Sequence, residues 1–376
     1  MLTDRTQNPA DPTKTADRFL VRNLEPNRTD KSSAPMSVFW IAEHFLRLSL
    51  LGRREFEMRG LLNYYLSCCV NTLLQTLNAT WELADILEKW KSAGVRAEDN
   101  VPFQLKRILK MMQEDLPHPA PHMDFLRCLD RNRIRLSMQH DADEVFFSIL
   151  DFIQRQMDDR TLALEIQNLY KISVETQVQC LECNNVQTLN SHLLSLPLHI
   201  KEDRNSLKDC VISFFEQQEL RGIDCCFCAQ CEAKTPTKQG VKLCSLPQIL
   251  CIQLKRFRNI RGLTRKLNCR VTFPETFNFS EFQRETFSSH FTQQNDCRYT
   301  LYAVVVHYGD AMCGHYTAYV RHRVSNRWYY ADDSRVSQSS WEDVQKTEGH
   351  HYRGTAYMLM YRKDPKEDNQ QPDLSG

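Results

Sequence analysis

The sequence runs to 376 residues, 41% hydrophobic and 10% aromatic, enough apolar material for a sizeable core in one large domain or two to three small ones. Its 48 lysine and arginine residues balance 47 acidic ones, and a net charge of +1 lacks the positive field on which nonspecific nucleic-acid binding depends, so no nucleic-acid partner is expected. No apolar run long enough to span a bilayer and no secretory leader pattern is present, so no transmembrane segment is expected; the 15 cysteines then belong to a reducing cytosolic or nuclear setting, as core residues, metal ligands or a nucleophile.

In chain order, residues 1–35 are polar, with scattered apolar groups and several prolines, and read as a disordered segment. Residues 36–59 form a lead-in whose stretch MSVFWIAEHFLRLSLL is amphipathic, with Phe39, Phe45 and Leu46 near one face, and docking on the domain is the favoured reading. From Cys68 the apolar residues Val70, Leu73, Leu74 and Leu77 mark the stripe of a buried helix that begins at a cysteine. Helical periodicity continues over 81–93, 101–113 and QHDADEVFFSILDFIQRQM, which opens on Asp141 and Glu144 in the spacing of a capping box. After about residue 170 the pattern turns to β-branched and aromatic runs, LPQILCIQL, RYTLYAVVVHYG, GHYTAYVRH, RWYYADD and TAYMLMYR, and residues 365–376 are a polar tail. A helical half followed by a strand-rich half predicts the α+β class, helices packed on an antiparallel sheet.

A cysteine at a helix N-terminus meets unpaired backbone donors and the positive end of the helix dipole, which favour the thiolate, and Cys68 has that position. His315 opens one strand, a polar turn near 323–326 reverses the chain, and Asp332 closes the next. Two strands of roughly seven residues at about 3.3 Å each bring the carboxylate back beside the imidazole. Cysteine, histidine and aspartate form the set that acyl transfer needs, although a plain cross-strand His–Asp pair reads the same way.

The segment GLLNYYLSCCVNTLLQTL resembles the cysteine box of the ubiquitin-specific proteases, matching it at Gly60, Leu61, Asn63, Cys68, Asn71, Leu74 and Gln75; QHDADEVF, LPQILCIQLKRF, GHYTAYV, WYYADDSRV and AYMLMY match further blocks in order. The resemblance implies a papain-like cysteine protease fold over residues 60–364 and a thiol-dependent isopeptidase that cuts a ubiquitin-like modifier from its conjugates. It makes Cys68 the nucleophile, His315 the base, Asp332 the orienting acid, with Asp333 as a second or substitute partner, and Asn63 the oxyanion donor; the plainer reading of Asn63 is a residue bonding its own turn. Asp141 and Glu144 fall where the family holds the modifier's C-terminal tail, a role compatible with helix capping. Tyr65 and Leu66 depart from the family, which has glycine and a small or polar residue there; such a change bends the loop or narrows the tail channel and sets an adaptor that binds without cutting against the active enzyme.

Two C-x-x-C pairs, Cys180–Cys183 and Cys228–Cys231, suit a structural Zn²⁺, with Cys225–Cys228 as an overlapping pair and a redox dithiol as the other reading. Family spacing favours Cys228 and Cys231, in a knuckle at the tip of the region that grips the modifier. Within the family the chain is most similar to the interferon-induced member that removes the interferon-stimulated ubiquitin-like modifier, on the doubled Cys68–Cys69, the QHDA block, VPFQLKRILKMMQ and CFCAQC. That similarity adds interferon receptor signalling components as expected partners.

Overall fold

The computed structural model describes residues 58–92, 97–260, 262–281, 297–311, 313–349 and 354–365, so the expected disordered segment, the amphipathic lead-in up to residue 57 and the polar tail beyond residue 365 lie outside the described residues. Among the described residues, six helices fill the first part: α1 (Cys68–Asn78), α2 (Trp81–Lys89), α3 (Val101–Met112), α4 (Met123–Arg131), α5 (Ala142–Gln156) and α6 (Arg160–Tyr170). Several carry the start signals their sequences announce. Asn100 caps α3 through a bond from Phe103 N–H with proline just inside, Asp141 caps α5, and Asp159 caps α6. No described helix is long and apolar enough to cross a membrane.

The helices lie against one face of an eight-stranded sheet. Its strands run in the order Arg335–Ser339, Trp328–Asp332, Gly314–Arg321, Arg298–Gly309, Thr355–Lys363, Ile249–Lys255 and Leu196–His199, with Thr276–Asn278 paired to Arg298–Gly309 off this path. The central strands are apolar on both sides because both faces are covered. Cys251, Ala303, Val305, Ala318, Val320, Met358 and Met360 join the core under the helices, while Leu250, Ile252, Val304, Val306 and Leu359 join a second core on the opposite face. That is why ILCIQL, YAVVV and AYMLMY read as unbroken apolar runs.

Pairing departs from the antiparallel expectation at the end of the sheet, where Leu196–His199 runs parallel to Ile249–Lys255. Pro197 is tolerated there because an edge strand need not donate on its outer side. A separate four-stranded antiparallel sheet, in the order Val186–Leu193, Ile172–Cys180, Thr237–Ser245 and Gln218–Leu220, carries the cysteine pairs at its tip. The whole is α+β, a helical half on a sheet half.

Candidate active site and metal site

Helix α1 packs on the Gly314–Arg321 strand, which fixes where its first residue, Cys68, must sit. The loop before it is pinned from several sides. Gly60 lies so close to the chain at Ser334 that a Cβ would approach the Ser334 carbonyl oxygen to 2.4 Å, and Leu61 N–H donates to Asp333 O at 2.9 Å. Tyr64 N–H donates to Ser67 Oγ at 2.9 Å, closing a tight turn just before the helix. Cys69 is buried in the core beneath, and burial pushes its thiol well above the ordinary range.

The hairpin that carries the imidazole turns where the sequence predicts. His322 and Arg327 close it by a backbone bond of 2.9 Å, with Asn326 at φ +55°. Ala318 stands opposite Ala331, a register that extends to set residue 317 against 332 and puts His315 and Asp332 diagonally on one face. His315 Nε2 meets Asp332 Oδ1 at 2.7 Å. The other ring nitrogen is left for the thiol, and the hydrogen bond with Cys68, followed by that with Asp332, raises the His315 imidazole to about 9 against the opposing effect of burial. The raised ring is thus poised to keep a proton taken from the thiol in the neutral range. Ring and carboxylate sit on the strands beside the helix that Cys68 opens.

Asp333 lies within 4.8 Å of the His315 and Asp332 ligand atoms. Its hydrogen bonds go elsewhere, for its carboxylate accepts from Asn63 Nδ2 and from Asn71 Nδ2, both at 2.8 Å. Asn71, one turn into α1, in turn accepts from the buried His122 at 2.8 Å, whose ring burial lowers to about 4. Burial raises the Asp333 carboxyl, and the two amide bonds pull the other way. Asn63 is thus oriented at both ends: its Oδ1 accepts from Ser67 N–H at 3.2 Å, one amide proton goes to Asp333, and the second remains for an oxygen on the reacting group. Sequence reasoning missed this use of Asp333, Asn71 and His122.

Tyr65 adopts φ +60° and is 74% exposed, while Leu66 is 40% exposed. The backbone at this position asks for glycine, and a tyrosine that packs on little pays for the left-handed conformation with little return. Replacing Tyr65 by glycine is expected to raise the unfolding free energy by about 1 kcal/mol, read as a shift in denaturant midpoint, and replacing it by alanine should give no such gain.

Asp141 and Glu144 have separate fates. Asp141 is tied down, accepting from Asp143 N–H at 2.9 Å and from the Tyr357 hydroxyl at 2.6 Å, whereas Glu144 is exposed on the first turn of α5. Between them Asp143 is buried, and burial with the nearby Asp141 charge raises its carboxyl to about 7.

At the tip of the smaller sheet the sulfurs of Cys180, Cys183, Cys228 and Cys231 lie within 4.8 Å of one another, with Cys180–Cys231 at 3.9 Å and Cys183–Cys228 at 3.6 Å. Four thiolates held at about 2.3 Å from one tetrahedral ion stand about 3.8 Å apart, so the set fits a metal. Each pair is followed by a left-handed residue, Asn184 at φ +59° and Glu232 at φ +53°, which turns the chain sharply around the sulfurs. Within the cluster, hydrogen bonding to Cys183 raises the Cys231 thiol, whereas hydrogen bonding to Thr235 lowers that of Cys180. Cys225 and Cys226 stand outside the cluster, which resolves the overlapping pair.

The sequence pattern of one protein family, described as ubiquitin carboxyl-terminal hydrolase, matches residues 59–361. Among characterised proteins, Ubl carboxyl-terminal hydrolase 18 of Homo sapiens is 34% identical over 316 residues, covering 81% of this chain and 84% of that protein. The Mus musculus protein of the same name is 35% identical over 315 residues, covering 81% and 85%. Ubiquitin carboxyl-terminal hydrolase 47 of Drosophila melanogaster is 26% identical over 395 residues, covering 84% of this chain and 25% of that protein.

Proposed function

The chain belongs to the ubiquitin carboxyl-terminal hydrolase family and is a cysteine-type deconjugating hydrolase, and from that premise we propose the residues and the substrate. Cys68 attacks the carbonyl of the isopeptide bond between the C-terminal glycine of a ubiquitin-like modifier and a lysine. His315 takes the thiol proton and returns it to the leaving amine, Asp332 holds the ring, and Asn63 donates to the developing oxyanion, a contact typically worth about 3 to 4 kcal/mol. Water then releases the modifier from the thioester. The observation that carries this reading is the His315 ring bonded to Asp332 at 2.7 Å on the strand against which the helix headed by Cys68 packs.

The preferred modifier in this proposal is the interferon-stimulated one, on the sequence blocks shared with that member and on relatives whose names specify a Ubl substrate. Interferon receptor signalling components are proposed as partners on the same ground, and damping of that response as the outcome. The four-cysteine cluster is assigned Zn²⁺, which clips two distant loops together and takes no part in the chemistry. Residence in the cytoplasm or nucleus is proposed on cysteine usage that suits core residues, metal ligands and a nucleophile in a reducing setting.

Turnover of fluorogenic C-terminal amides of ubiquitin and of the interferon-stimulated modifier tests the proposal. Hydrolysis of either, faster with the second, supports it, whereas tight binding without turnover favours the silent adaptor that Tyr65 and Leu66 suggest. Because the folded imidazole is raised to about 9, its proton is available throughout the neutral range and is lost as pH rises through that value, so kcat/KM is expected to fall on the alkaline side near pH 9.

A further inference from the structure

The segment before α5 is bonded both to the loop before Cys68 and to the strand that carries His315. At one end Leu136 O accepts from Leu66 N–H, two residues before Cys68, at 3.3 Å. At the other, the Gln139 carboxamide grips the backbone of Gly314, the residue before His315: Gln139 Nε2 donates to Gly314 O at 3.1 Å, and Gly314 N–H donates to Gln139 Oε1 at 3.2 Å. Only glycine fits position 314, since a Cβ there would approach the buried His307 ring nitrogen to 2.1 Å. Gly314 stands opposite Gly309 in the sheet, so both of its backbone groups turned toward Gln139 belong to the open edge of the strand.

A modifier that ends in glycine offers no side chain at its last residue, so the enzyme can hold that residue only through backbone hydrogen bonds. Gly314 provides a donor and an acceptor beside the catalytic imidazole. A carboxamide carries the same donor and acceptor as a peptide group. Resting on the isopeptidase reading, we propose that Gln139 is a placeholder for the terminal peptide group of the modifier, occupying the backbone edge at Gly314 until the incoming tail displaces it. Gln139 is exposed, and solvent-exposed neutral bonds of this kind are worth little net, so the exchange is easy for a tail held elsewhere. The latch acts as a competitor built into the channel, raising KM without touching the thiol.

The test compares the parent protein with Gln139→Ala and with Gln139→Leu, which keeps bulk and loses both bonds. Three readouts are needed: KM and kcat on the fluorogenic modifier amides, the rate of reaction with a C-terminal electrophilic modifier probe, and alkylation of Cys68 by iodoacetamide, which is too small to need the channel. The placeholder predicts that both variants lower KM and speed the probe about three- to tenfold, with kcat and alkylation equal to the parent. A residue that instead positions His315 would show slower alkylation and lower kcat, and that result, or no change in KM, overturns the proposal. A parent that is alkylated at Cys68 but reacts with neither modifier probe sinks the isopeptidase reading as well, which separates the two failures.

Discussion

His315→Ala is expected to lower kcat on a modifier amide by roughly 10³-fold, within the range that a positioned acid–base group supplies. The ring serves twice in the proposed cycle, accepting the proton of Cys68 and delivering it to the lysine amine, and each half-step loses its partner when the imidazole goes. Its placement depends on the sheet more than on its own loop, since the register of Ala318 with Ala331 brings Asp332 within 2.7 Å of Nε2. Removing the ring leaves that scaffold intact. KM for the modifier should therefore stay within a fewfold of the parent, because a large interface binds the body of the modifier. Single-turnover kinetics that follow thioester formation distinguish this loss of chemistry from a loss of binding.

Cys228→Ser is expected to give the opposite pattern. Three remaining thiolates cannot close a tetrahedral site, so zinc content should fall from about one ion per chain to a small fraction of that, read by elemental analysis. The domain will survive this change, because the two cores beside the eight-stranded sheet do not draw on the cysteine cluster. What loosens is the small sheet of Ile172–Cys180, Val186–Leu193, Gln218–Leu220 and Thr237–Ser245, which should show faster amide exchange than the strands around His315. If that sheet grips the modifier, KM should rise on the order of tenfold or more while kcat moves little.

Much of this arrangement was legible before the structure. The apolar stripe of Val70, Leu73, Leu74 and Leu77 fixed a helix that begins at Cys68, and the strand–turn–strand spacing placed Asp332 beside His315. Two C-x-x-C pairs announced a metal cluster, and geometry then chose Cys228–Cys231 over the overlapping pair. The parallel edge strand at Leu196–His199 was hidden, because a four-residue segment carries no signal of its partner's direction.

The bonds of Asp333 were not legible: its carboxylate stays within 4.8 Å of His315 and Asp332, yet at φ +50° it hydrogen-bonds to the cysteine loop through Asn63. The grip of Gln139 on Gly314 joins residues 175 apart in sequence and leaves no local pattern to read. Tyr65 differs again: the sequence pointed to a bent loop or a narrowed channel, whereas the residue holds the positive φ that a glycine would take.

The most direct measurement is the intact mass and peptide map of the protein after exposure to a C-terminal electrophilic probe built on the interferon-stimulated modifier. A single adduct on the peptide that contains Cys68, lost in Cys68→Ala although Cys69 remains, is the predicted result. An unmodified Cys68 in a protein that still binds the probe, or an adduct that persists in Cys68→Ala, would contradict the assignment of this thiol as the nucleophile.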